Sequence, residues 1–148
     1  MLAVVENRVA VGREIAQGGF SFVYKARDTE TGEAFALKKI LCQTGEQVQL
    51  AKAEIQAHKS FAHPHIMPLS DYAVVSRDSG TFEYYLLFPF MEVRHTYPTP
   101  CFKRVTFHPL VQDVRIPEGQ ILNLFIKICR AVAKLHSKSP SLAHRDIK

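Results

Sequence analysis

Three strand-like runs separated by glycine turns fill the first forty residues, and this pattern constrains the fold more than any other. The runs are rich in apolar and β-branched residues and extend over Val9 to Gln17, Phe20 to Arg27 and Ala34 to Leu41. Gly18-Gly19 separates the first pair, and Thr31-Gly32 separates the second. Because short glycine-containing connections join neighbouring antiparallel strands, the sequence predicts three strands of one antiparallel sheet.

The next fifty residues change from helical spacing back to strand-like runs. Gly45 to Lys59 carries apolar residues at helical spacing, and His63-Pro64 is expected to stop this helix. Ile66 to Val75 and Phe82 to Phe90 are typical of two more strands, joined by the polar turn Arg77-Asp78-Ser79-Gly80. The predicted order is three strands, one helix and two strands, which is an α+β fold.

The last third of the chain contains an irregular segment and a second helix. Residues 93–116 are basic, contain three prolines and follow neither a strand nor a helix period. Two explanations for this segment remain open, namely an insertion or translated intron sequence. Pro117 then opens a run of apolar residues at helical spacing, so we expect a helix that ends near His136.

Composition and charge exclude several classes of protein. The chain has 148 residues, of which 47% are hydrophobic and 22% charged, as in globular rather than disordered proteins. The net charge of +5 is not gathered in one patch, so a nucleic-acid partner is not expected. No apolar run reaches the ~18 residues of a transmembrane helix. The three cysteines and seven histidines lack metal-ligand spacing, so no metal site is expected in this chain.

No targeting signal is expected at the first residues. They lack the basic stretch and apolar core of a secretory signal, and Leu2 stands where N-myristoylation requires glycine. An odd number of widely spaced cysteines fits a reducing compartment better than a disulfide framework. The sequence therefore predicts a cytoplasmic protein without an N-terminal lipid.

Four features that together indicate phosphoryl chemistry follow one another along the chain. The hairpin at Gly18-Gly19 would let backbone amides approach phosphates. Lys38 on the third strand could reach those phosphates, and Glu54 is the nearest downstream acid in the body of a helix that could hold it. Asp146, within the run His144 to Lys148, could accept a proton from an attacking hydroxyl. Taken singly, each has an ordinary explanation: a simple turn, a solvated lysine, a surface glutamate and a charged surface run.

In this order the four features resemble the protein kinase family. Shorter strings look like the Numb-associated kinases, and within them the myristoylated and palmitoylated serine/threonine kinases. They are Gly-Gly-Phe-Ser, Ala-Leu-Lys-Lys-Ile-Leu-Cys, His-Pro-His-Ile and Ile-Cys-Arg-Ala-Val-Ala-Lys-Leu-His. The resemblance covers Arg8 to Met91 and Pro117 to Lys148. It implies a kinase small lobe over residues 8–92, and the first helix and catalytic-loop start of a C-terminal lobe over 117–148.

The resemblance assigns a role to each matching position. The implied catalytic residues are Lys38, Glu54, Asp146 and Lys148. The implied ATP-binding residues are Ala16, Gly18, Gly19, Ser21, Val23, Ala36, Lys38, Phe88, Pro89 and Met91. Val23 and Ala36 would pack on the adenine, and Phe88 would be the gatekeeper. The Pro89 carbonyl and the Met91 N–H would bind the edge of the base, although alanine and serine replace two of the three usual loop glycines.

The implied activity is ATP-dependent phosphorylation of serine or threonine in protein substrates, with Mg²⁺ as cofactor. In the family the asparagine and the Asp-Phe-Gly motif that hold Mg²⁺ come after the position of Lys148. The chain is therefore expected to be truncated and inactive alone. Two alternatives stay open: a non-catalytic ATP- or partner-binding fragment, and an erroneous gene model. The family also implies partners in membrane traffic or at the Golgi.

Overall fold

Five strands and two helices make up the described part of the chain. The structure, a computed structural model, describes residues 8–77, 80–91 and 117–137. In chain order the elements are β1 (Val9–Gln17), β2 (Ser21–Asp28), β3 (Ala34–Cys42), α1 (Gly45–Ser60), β4 (Asp71–Ser76), β5 (Phe82–Pro89) and α2 (Glu118–His136). The predicted α+β fold is thus confirmed. The irregular segment predicted at 93–116 lies outside the described residues.

The five strands form one antiparallel sheet in the order β1-β2-β3-β5-β4. Each strand up to β3 pairs with its predecessor, whereas β5 lies between β3 and β4. The connection through α1 therefore carries the chain from β3 to the far edge of the sheet. Gly32 and Gly80 have φ angles of +74° and +73°, a region that favours glycine, and both lie in turns between strands.

The start of β4 differs from the prediction. The sequence pattern suggested a strand from Ile66, but pairing with β5 begins only at Asp71. Pro68 has no N–H to donate to a neighbouring strand. In addition, the Ile66 amide donates to the His63 carbonyl at 3.1 Å and so closes a turn instead. These local interactions keep residues 66–69 out of the sheet, and the Ser70 amide then donates to the Leu87 carbonyl of β5 at 2.8 Å, just before the paired residues begin.

Helix α1 is fixed at its start by a capping box and along its length by burial. The Thr44 hydroxyl accepts the Gln47 amide at 3.3 Å, and the Gln47 side chain accepts the Thr44 amide at 3.1 Å. Ala51 and Ile55 are buried against the sheet. The core on this face consists of Cys42, Ala51, Ile55, Tyr84 and Leu86, and the core on the opposite face of Val9, Ala26, Leu37 and Leu87. Helix α1 is therefore held on one face of the sheet in one orientation.

A polar cluster centred on Glu83 joins β3 and β5 to the turn that follows β4. The Glu83 carboxylate accepts hydrogen bonds from Lys39 Nζ at 2.8 Å, Tyr85 OH at 2.6 Å and Arg77 Nε at 2.9 Å. Only 13% of its side chain is exposed. Although burial alone would raise the pKa of Glu83, these hydrogen bonds lower it from 4.5 to about 2. The carboxylate is therefore charged throughout the neutral range.

Helix α2 is amphipathic, and its predicted bounds agree with the structure. Six large apolar side chains of this helix are exposed, namely Ile121, Leu122, Leu124, Phe125, Ile126 and Ile128, whereas Leu135 is buried. Neither this helix nor α1 is long and apolar enough to cross a membrane.

Candidate functional site

The pairing of the strands places Lys38 in a row of side chains across the sheet. Ala16 lies opposite Val23, Val23 opposite Lys38, and Lys38 opposite Leu86. Side chains directly opposite one another point to the same face of a sheet. Leu86 belongs to the core that α1 covers, so Lys38 and Val23 also point to the α1 face.

Lys38 and Glu54 form a close ion pair between the sheet and α1. Lys38 Nζ donates to both carboxylate oxygens of Glu54, at 2.7 and 2.9 Å. The side chains are 27% and 32% exposed, so solvent still reaches the pair. An exposed pair contributes about 0–1 kcal/mol, so its main consequence is the fixed position of the ammonium group. The structure thus brings together two residues that are 16 positions apart in the sequence.

A cleft of about 220 Å³ lies beside this ion pair. It is lined by Phe20, Ser21, Lys38, Ile40, Leu41, Gln47, Leu50, Ala51 and Glu54. Of the residues singled out from the sequence, it contains Ser21, Lys38 and Glu54. Sequence reasoning missed the apolar wall, although helical spacing did place Ala51 on the buried side of α1.

The two glycines of the first hairpin have different surroundings. The Gly18 amide donates to the Ser21 carbonyl at 2.7 Å, so it closes the hairpin. A Cβ at Gly18 would lie 2.9 Å from the Ser21 hydroxyl, whereas a Cβ at Gly19 would meet nothing within 4 Å. The backbone at Gly19 therefore borders open space, which suits the approach of a large anion.

Of the residues predicted to bind a base, Val23, Ala36 and Phe88 lie on the same face but outside this cleft, whereas the Pro89 side chain points to the opposite face. Ala36 lies opposite Phe88 in the β3–β5 pairing, in the next row on the Lys38 face. The Phe88 ring meets the His58 ring edge-on, with 5.0 Å between centroids. Pro89 lies opposite Phe35, and Met91 is 67% exposed. A surface from Val23 through Ala36 to the end of β5 thus continues from the ion pair.

Two predicted catalytic residues cannot be placed. Asp146 and Lys148 lie outside the described residues. Within residues 8–77, 80–91 and 117–137, no group of three or more His, Cys, Asp or Glu side chains is arranged to hold a metal ion. The described residues therefore include the lysine, its carboxylate partner and the glycine hairpin. They do not include a set of ligands for Mg²⁺.

The chain is similar to known proteins over nearly its whole length. The model of the protein kinase domain family matches residues 9–148. A probable serine/threonine-protein kinase of Dictyostelium discoideum is 36% identical over 141 residues, which cover 95% of this chain and 38% of that protein. Serine/threonine-protein kinase 16 of Rattus norvegicus and of Homo sapiens are 32% and 33% identical, each over 98% of this chain and 45% of the relative. The chain thus spans less than half the length of these relatives.

Proposed function

The chain belongs to the protein kinase domain family, and from this premise we propose that it is the ATP-binding part of a serine/threonine kinase. The complete protein would transfer the γ-phosphoryl group of ATP to serine or threonine hydroxyls of protein substrates. The observation that carries the proposal is the Lys38–Glu54 ion pair, which lies beside a cleft and next to a glycine hairpin. The names of the relatives support serine/threonine specificity.

In the proposed complex Lys38 binds the phosphates of ATP. Its ammonium group is held by both oxygens of Glu54, so it is directed before the nucleotide arrives. Glu54 is in this sense a positioning residue, since it acts through Lys38. The open space at Gly19 allows the hairpin backbone to approach the same phosphates without a side chain between them.

The base would lie further along the same face of the sheet. Val23 and Ala36 would pack on the adenine, with Phe88 behind it and the hairpin residues Ala16, Gly18 and Ser21 on the phosphate side. Pro89 has no N–H, so it can serve only as an acceptor, through its carbonyl. The amide of Met91 would be the matching donor. These contacts fit a planar base that has both a donor and an acceptor on one edge.

Further assignments follow the family pattern. Asp146 would accept the proton of the substrate hydroxyl, and Lys148 would contact the transferred phosphoryl group. Mg²⁺ would neutralise phosphate charge in the complete protein, but the described residues do not fit it. The strings around Gly18, Lys38 and His63 support membership of the Numb-associated branch, with partners in membrane traffic or at the Golgi.

Nucleotide binding to the chain tests the proposal directly. A fluorescent ATP analogue carrying an N-methylanthraniloyl group would be titrated into the wild type, Lys38→Met and Glu54→Gln. Charge-assisted hydrogen bonds contribute about 1.5–3 kcal/mol, so Lys38→Met is expected to weaken binding about 10- to 100-fold. Glu54→Gln is expected to weaken it at most about fivefold, because it only releases the lysine.

A matched control removes the general effect of charge. Lys52 is exposed on α1 and lies outside the proposed site, so Lys52→Met lowers the net charge equally. This control is expected to bind like the wild type. A wild type that binds no nucleotide, or a Lys38→Met variant that binds like Lys52→Met, would contradict the proposal.

A further inference from the structure

The residue after β5, Phe90, is held at both its backbone and its side chain. Its amide donates to the Ala34 carbonyl at 3.2 Å. Its ring lies under the ammonium group of Lys25, with 4.5 Å between Nζ and the ring centroid. A lysine ammonium within ~6 Å of a ring centroid is attracted by the negative face of the ring. The chain just after β5 is therefore attached to β3 through its backbone and to β2 through its ring.

The backbone hydrogen bond of Phe90 also shows whether the Pro89 carbonyl is paired with β3. In an antiparallel pair, residues directly opposite alternate between hydrogen-bonded and non-hydrogen-bonded positions. Phe35 lies opposite Pro89, and the bond beside this pair is made by Phe90 and Ala34. The pair is therefore a non-hydrogen-bonded one. The Pro89 carbonyl takes no part in pairing with β3.

Lys25 lies on β2, the strand whose Val23 would pack on the base, and from there it contacts Phe90. It lies opposite Ala36, which in turn lies opposite Phe88. All three side chains thus point to the face that carries Lys38. Lys25 is also two residues beyond Val23 on β2, towards the end of the sheet where β5 finishes. The contact between Lys25 and Phe90 connects the two walls between which the base would lie.

We propose that Lys25 is a positioning residue for the purine base, and this inference rests on the proposed function. By holding the Phe90 ring, Lys25 restricts the backbone rotations on both sides of Phe90. The Pro89 carbonyl and the Met91 amide flank Phe90. Their orientations are then fixed, so that both point towards the edge of the base. The same contact keeps β2 close to the end of β5 and narrows the base site. Because the effect acts on the base, it is independent of the phosphate charge.

Binding of two probes that differ in charge tests this role. The N-methylanthraniloyl ATP analogue is titrated directly, and uncharged adenosine is measured by its displacement of that analogue. A single cation–π contact at a partly exposed site is expected to change affinity about two- to fivefold. Lys25→Met should therefore weaken the binding of both probes by about this factor. Lys25→Arg, which keeps a cation over the ring, should bind both probes like the wild type.

Two further variants separate positioning from charge and from stability. Lys52→Met removes the same charge elsewhere and should leave adenosine binding unchanged. Phe90→Leu removes the ring and should weaken both probes like Lys25→Met, while the double variant Lys25→Met/Phe90→Leu should be no weaker than either single variant. Urea unfolding of each variant shows whether the fold is intact. If Lys25→Met does not fold, Phe90→Leu tests the same contact in its place.

The possible results distinguish this inference from the proposed function. If the wild type binds both probes and Lys25→Met binds them equally well, the role of Lys25 is refuted while the proposed function stands. If Lys25→Met weakens only the ATP analogue, and by as much as Lys52→Met, the effect is one of charge and the role is again refuted. If the wild type binds neither probe, the proposed function falls, and the role of Lys25 falls with it.

Discussion

Replacement of Glu83 by glutamine tests the polar cluster that joins β3 and β5 to the turn after β4. The variant keeps the size of the side chain but removes the negative charge of the carboxylate that Lys39, Arg77 and Tyr85 all contact. Because the pKa of Glu83 falls from 4.5 to about 2 on folding, the charged form is favoured in the folded state. One pKa unit equals about 1.4 kcal/mol, so the interaction corresponds to roughly 3 kcal/mol. The Arg77 side chain is 53% exposed, and solvent screening reduces this to about 2 kcal/mol.

The sign of the pH dependence follows from the lowered pKa. The stabilisation is fully present above pH 4.5 and is lost as the pH falls towards about 2, because Glu83 then becomes protonated in the folded state as well. Glutamine does not titrate and resembles the protonated acid. The free energies of unfolding of wild type and Glu83→Gln should therefore differ by about 2 kcal/mol at pH 7 and converge near pH 2.

Urea denaturation monitored by circular dichroism between pH 7 and pH 2 measures this difference. Glu33→Gln is the matched control, because Glu33 is exposed and its carboxylate lies outside the cluster. The control should stay within about 0.5 kcal/mol of the wild type at every pH. A Glu83→Gln variant that is equally close at pH 7, or whose deficit stays constant down to pH 2, would refute the reasoning.

Three more predictions concern the packing of the small sheet and α1. Gly12→Ala should destabilise the fold by about 1–3 kcal/mol in urea unfolding, since its Cβ would lie 2.8 Å from a backbone carbonyl of β2. Gly19→Ala, whose Cβ meets nothing within 4 Å, should stay within about 0.5 kcal/mol; equal effects would contradict the packing argument. Thr44→Ala should cost about 1 kcal/mol in thermal unfolding, because α1 loses its capping hydroxyl, and an unchanged midpoint would count against the cap. Iodoacetamide at pH 8 should label exposed Cys129 and spare Cys42, since burial both shields the Cys42 thiol and raises its pKa; labelling of native Cys42, seen by peptide mass spectrometry, would overturn this.

Local patterns were sufficient for most of the secondary structure. Strands β1, β2, β3 and β5 and both helices lie within one residue of their predicted bounds, because alternation, glycine turns and helical spacing are properties of neighbouring residues. The exception is the start of β4. There the apolar pattern suggested a strand from Ile66, and the turn at His63 together with Pro68 delayed the pairing until Asp71.

The candidate site was predictable only in part. Lys38 and Glu54 were paired from their order along the chain, and the structure brings them to 2.7 Å. Helical spacing indicated Ala51, but exposed Phe20 and Leu50, which also line the cleft, gave no sequence signal, since single exposed apolar residues are ordinary on protein surfaces. The need for glycine at position 12 was also invisible, because it depends on the distance between two strands.

The sequence by itself determined most of the strand and helix boundaries, and it indicated the residues that we propose to bind phosphate. These properties depend on contacts within a few residues, where spacing and side-chain type decide the outcome. Only the tertiary structure decided that Lys25 lies over Phe90 and that Glu83 accepts hydrogen bonds from three side chains. It also decided which side chains of the sheet face α1. These contacts depend on the register and order of the strands, and a shift of one residue would move every side chain to the other face.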